Sequence, residues 1–127
     1  MKRNVLILSA LAVVVVAAVG IVISMNRSDP QFREVATSER ADYEYMIPVG
    51  TGNRIDAGEE ISIIPAELEV HVGESIRIIN NDDRGHVVGV FFVGPGETMS
   101  QEFTSPGTLT GGCTIHPSGE FTLQVLE

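Results

Sequence analysis

The chain carries two hydrophobic patterns. From Val5 to Ile23 the residues are uncharged and almost all apolar, interrupted only by Ser9 and Gly20. A helix rises about 1.5 Å per residue, so about 20 such residues cross the roughly 30 Å hydrocarbon core of a bilayer. The run exceeds the apolar stretch of about 7–15 residues typical of a signal peptide. Its exit, Ile23-Ser24-Met25-Asn26-Arg27, has no small-x-small cleavage site. Residues 1–25 are therefore expected to form a membrane anchor helix, with a cleaved signal segment as the alternative. Lys2 and Arg3 favour a cytoplasmic front end. The remainder is then expected on the extracytoplasmic side, in the periplasm or at the cell surface.

Residues 26–40 are mostly polar, lack alternation and read as a tether. From Ala41 onward the pattern becomes short alternating runs punctuated by Gly, Pro, Asn and Asp. Glu67–Val72 is the clearest, with Leu68, Val70 and Val72 on one face and Glu67, Glu69 and His71 on the other. Ser75–Ile79, Glu97–Thr104 and Phe121–Leu126 alternate as well. Glu60–Ile64 reads as a short strand stopped by Pro65. His86–Val93 is apolar enough for both of its faces to be covered. Val49–Asn53, Asn80–Gly85 and Gly111–Gly119 read as loops, and nothing after residue 40 shows a helical period. Several short strands separated by regular turns predict an all-β, antiparallel Greek-key sandwich over 41–127.

Composition removes several function classes. The 127 residues leave room for one ordinary domain. The formal charge is -9, and beyond residue 25 there are 17 acidic residues and no lysine. Such a surface repels nucleic-acid phosphates and anionic lipid headgroups. A single Cys excludes an internal disulfide, a four-Cys zinc site, a two-Cys redox pair and a binuclear copper centre bridged by two thiolates.

That cysteine, Cys113, stands in the expected exported region, where a free thiol tends to oxidise. An intermolecular disulfide, a buried inert thiol and a metal thiolate are the three readings. His116 follows by three residues in a turn-rich loop, close enough for both to face one ion. His86 opens the apolar run after the Asn80–Gly85 loop, and loops at one end of a sandwich converge from distant parts of a chain. One thiolate and two imidazoles suit copper, with a weak axial ligand optional.

Asn80-Asn81-Asp82-Asp83-Arg84-Gly85-His86, followed by Cys113-Thr114-Ile115-His116-Pro117, resembles the cupredoxin family, most of all its plastocyanin and amicyanin branch. Glu67–Glu74 is similar to that family's strand and Gly-Asp/Glu turn, and the resemblance covers roughly residues 60–127. It implies a mononuclear Cu(I)/Cu(II) site held by His86, Cys113 and His116, and a carrier of single electrons rather than an enzyme. Asn80 or Asn81 is then expected to tie the two ligand loops together. The family usually places a Met three to five residues after its second His. Here those positions are Gly119, Glu120 and Phe121, so Phe121 is expected as an apolar axial cap. Glu120, Met99 and the Gly85 carbonyl are the rival axial groups. Asp82 and Asp83 read as a solvated turn, with docking to a basic partner as the alternative. His71 reads as exposed, and the redox partners are unnamed. A copper carrier or sensor without a redox circuit, and a metal-free interaction module, are the other functional readings.

Overall fold

The computed structural model describes residues 30–37 and 39–127. The expected anchor over 1–25 lies outside the described residues. Among the described residues no helix is long and apolar enough to cross a membrane.

Among the described residues, nine strands and one short helix follow in the order β1 (Phe32–Glu34), β2 (Tyr43–Ile47), α1 (Thr51–Asp56), β3 (Glu67–His71), β4 (Ser75–Asn80), β5 (His86–Val88), β6 (Phe91–Val93), β7 (Thr98–Phe103), β8 (Gly107–Gly112) and β9 (Glu120–Leu126). One sheet has the order β1-β7-β4-β2, a second β3-β9-β8, and β5 and β6 form a small hairpin. The alternation predicted for Glu67–Val72 is realised over β3, where Leu68 and Val70 are buried and Glu67, Glu69 and His71 are exposed; Val72, expected on the buried face, lies past the strand end and is exposed. Phe121, Leu123 and Val125 do the same in β9. Ile76 and Ile78 of β4 and Phe103 of β7 face them, and the two inner faces share one hydrophobic cluster. Phe32 adds its ring edge-on to Phe103 and Phe91, at centroid distances of 6.0 and 5.2 Å.

The structure departs from the sequence reading in several places. The sandwich is mixed, not antiparallel: β2 runs parallel to β4, and β3 runs parallel to β9. Alternation marks which face of a strand is buried and is silent on strand direction. The stretch read as a tether contains β1, whose Phe32, Arg33 and Glu34 pair with Phe103, Glu102 and Gln101. Three residues are too few to show alternation, and Phe32 is held by its aromatic neighbours. Val49–Asn53, read as a loop, is helical from Thr51 onward as the first turn of α1, although no helical period was expected after residue 40. Glu60–Ile64 is not a strand; Ile61 and Ile64 are buried, and Ile63 N–H donates to the Ile115 carbonyl at 3.0 Å. His86–Val93 is not one strand covered on both sides. It folds back at Gly89, whose φ of +61° suits glycine, and leaves Val90 and Phe92 exposed. β8 takes in Gly111 and Gly112, so the loop is shorter than predicted.

Candidate metal centre

The site lies where the β5–β6 hairpin meets the end of β8. Val88 bridges Cys113, and Gly89 N–H donates to the Gly112 carbonyl at 2.7 Å. Gly111 makes this approach possible, because a Cβ there would stand 2.7 Å from the Gly89 carbonyl oxygen. Thr114 is the next stitch. Its N–H donates to the Val87 carbonyl at 2.9 Å, and its Oγ1 accepts the Val87 N–H at 3.1 Å. The same oxygen lies 3.1 Å from His86 Nδ1.

Cys113 and His116 line one open cavity of about 360 Å³ together with Ile55, Glu59, Glu60 and Ile61. Burial pushes the Cys113 thiol up, while the N–H groups of Ile115 and His116 pull it back less strongly. Within its own loop, His116 Nδ1 is 2.7 Å from Ser118 Oγ and accepts the Ser118 N–H at 3.1 Å. His86 lines the neighbouring cavity of about 210 Å³, and Thr114 borders both.

His86 is 2% exposed, and its Nε2 is 2.8 Å from Asp82 Oδ2. Asp82 is also 2% exposed, so it is not the solvated turn residue expected. Its carboxylate accepts the N–H groups of Gly50 at 3.0 Å, Gly52 at 2.8 Å and Asp83 at 2.9 Å. Burial alone would raise its pKa. The His86 ring and the Gly52, Asp83 and Gly50 N–H groups outweigh burial and hold the carboxyl far below the usual carboxylate range. Arg84 clasps the same region from outside, bonding Asp56 at 2.8 Å and Asn53 at 2.9 Å while its stem lies over Gly52.

Asn80 is fully buried, but not in the role expected of it. Its Nδ2 donates to the carbonyls of Arg84, Val93 and Gly94 at 2.8, 3.1 and 2.9 Å, and its Oδ1 accepts the Asp82 N–H at 3.0 Å. None of these partners belongs to the Cys113 loop; Asn80 ties the 81–85 loop to the end of β6. Thr114 makes the cross-link expected of Asn80. Neither Thr114 nor the buried Asp82 was singled out as a site residue from the sequence. The signal available was Asp82 standing four residues before His86 in an Asn/Asp-rich turn, where short polar side chains favour bonds to nearby backbone.

Phe121 is buried opposite Gly111, its ring against Gly89. Glu120 is exposed, and its carbonyl accepts the Ser118 hydroxyl. Met99 pairs with Ile78 in the other sheet, and Gly85 lies under the Phe92 ring. Among the described residues no group of three or more His, Cys, Asp or Glu stands close enough to hold a metal ion. Cys113 and His116 share a cavity, and His86 is their neighbour rather than a third member of a closed set. The donor chemistry fits copper, with one thiol and two imidazoles at adjoining cavities.

No protein-family model matches the chain, and no curated protein matches it. Among solved structures it is similar to amicyanin from Paracoccus versutus, with 15% identity, 76% of this chain and 99% of that one covered, and a TM-score of 0.48. A purple cupredoxin from Nitrosopumilus maritimus matches at 22% identity, covering 66% of this chain and 99% of that one, with a TM-score of 0.42. A copper-containing nitrite reductase from Thermus scotoductus matches at 21% identity over 75% of this chain and 25% of that one, with a TM-score of 0.43. These are distant likenesses, and the reading that follows rests on this chain's own residues and pairings.

Proposed function

We propose that this protein is a mononuclear copper protein of the cupredoxin type that carries single electrons between redox partners on the extracytoplasmic side, anchored through residues 1–25. The observation that carries the reading is the stitching of two distant stretches: β5 and the Cys113 strand are bonded side by side, with His86 beside Thr114 and with Cys113 and His116 opening into one cavity. Cys113, His116 and His86 would hold the ion. Copper, when bound, supplies a one-electron Cu(I)/Cu(II) couple.

This chain's own residues do the rest. Burial raises the Cys113 thiol, and the N–H groups of Ile115 and His116 offset part of that rise. Ile55 and Ile61 give the cavity an apolar part, and Glu59 and Glu60 an acidic one. Phe121, buried beside Gly89, would give the ion an apolar neighbour rather than a thioether. The hairpin and β8 are joined by backbone bonds, so the ligand-bearing stretches have little room to rearrange when an electron moves.

The test is to add Cu(II) to the purified full-length protein and record the visible spectrum. A thiolate-to-copper charge-transfer band that Cys113→Ser abolishes is the expected result. A colourless protein that retains no copper ends the reading. Phe121→Met is expected to lower the reduction potential, and an unchanged potential removes Phe121 from the proposed site.

A further inference from the structure

We propose that Asp82 is the positioning residue of His86. It holds the imidazole as the Nε2–H tautomer, so that the Nδ1 lone pair is turned toward Thr114 and the Cys113 strand. The copper reading supplies only the purpose of that lone pair; the clamp itself needs no metal.

A count of donors and acceptors carries the inference. An ionised carboxylate only accepts hydrogen bonds. Asp82 Oδ1 receives the Gly50 and Asp83 N–H groups, and Oδ2 receives Gly52 N–H and faces His86 Nε2 at 2.8 Å. Nε2 must therefore carry the proton. With the proton on Nδ1 instead, a lone pair would face a carboxylate oxygen at that distance in a site almost closed to water, an unpaired contact with a large penalty.

The other side of the ring agrees. The Val87 carbonyl is already paired with the Thr114 N–H at 2.9 Å, and Thr114 Oγ1 lies 3.4 Å from it. The Thr114 hydroxyl proton is thus available to the closer acceptor, His86 Nδ1 at 3.1 Å. A neutral imidazole whose far nitrogen is bonded to a carboxylate has its tautomer and ring orientation fixed. Asp82 also spans two other elements. It fastens the Gly50–Gly52 backbone at the start of α1 to the His86 strand, so the wall of the cavity and the orientation of His86 depend on one side chain.

An Asp82→Asn substitution has a defined expected outcome. An amide has one accepting oxygen. Turned toward Gly50 and Asp83, that oxygen satisfies both, and the NH2 group then faces His86 and Gly52. Turned the other way, the NH2 group opposes both Gly50 and Asp83 N–H. The first arrangement leaves fewer opposed donors, and it requires His86 Nε2 to accept.

The experiment is nitrogen NMR of the histidine rings in the full-length, metal-free protein at neutral pH. The wild type is expected to show His86 as the Nε2–H tautomer, and Asp82→Asn is expected to move the proton to Nδ1. Thr114→Val, which leaves Asp82 untouched, is expected to keep Nε2–H. A wild-type Nδ1–H tautomer, rapid averaging of the two tautomers, or an Asp82→Asn protein that retains Nε2–H overturns the clamp. Should Asp82→Asn fail to fold, the wild-type and Thr114→Val spectra still decide it. Copper uptake is scored separately. An Nε2–H His86 in a protein that takes up no copper keeps the clamp and removes the metal reading. An Nδ1–H His86 in a copper-binding protein does the reverse.

Discussion

The sandwich and the tip of this molecule are held by different forces. In the sandwich, Val70, Ile76, Ile78 and Phe103 are closed off from water and packed together, and the backbone is satisfied by ladder bonds. At the tip, Asp82, Asn80 and His86 are as deeply buried, yet they are polar and each is matched to several partners. Apolar burial is non-directional and tolerates modest change. A buried polar network is directional, and a lost partner leaves others unsatisfied. The sandwich therefore sets stability, and the tip sets the geometry of the side chains proposed as ligands.

Phe103→Ala tests the first half of that contrast. It removes a fully buried ring in contact with Phe32. A loss of about 3–5 kcal/mol is expected in urea unfolding, with copper uptake by the surviving folded fraction unchanged. A local change confined to His86 would break the division between the regions. Gly111→Ala probes the joint instead. Its new Cβ meets the Gly89 backbone, which cannot swing aside as a side chain can. A loss of about 1–3 kcal/mol is expected. Amide exchange should quicken first in the β5–β6 hairpin, and uniform quickening across both sheets would deny the joint its separate role.

The gentlest probe is acid. The Asp82 carboxyl lies below its ordinary range when folded, so the unfolded chain takes up that proton more readily. Its contribution is complete above the unfolded value of about 4 and is lost as pH falls from there toward the folded one. Urea midpoints should hold near neutrality and fall below about pH 4, with a flatter profile in Asp82→Asn. Identical profiles would show that the tip does not depend on this charge.

The same contrast explains what could be read from the sequence. The faces of β3 and β9 were legible because Leu68, Val70, Leu123 and Val125 alternate with polar neighbours. Their parallel pairing was not, because direction is fixed by which strands meet and not by either strand's pattern. The Cys113–His116 pair stood out through its spacing, and the two residues do share a cavity. Asp82 did not stand out. In a run of Asn and Asp every residue suits a turn, and only the arrival of the Gly50–Gly52 backbone and the His86 ring distinguishes the buried one from its exposed-facing neighbours. Thr114 was hidden for a similar reason, since a threonine beside a cysteine carries no pattern until Val87 lies opposite.

The order β3-β9-β8 puts the strand that comes latest in the chain between two earlier ones. During synthesis from the amino end, β3 and β8 emerge with no shared partner and wait for residues 120–126 before they become one sheet. Pairings this distant in sequence are slow to form. Until β9 arrives neither β3 nor β8 has its partner, so this half of the sandwich closes only once residues 120–126 are in place.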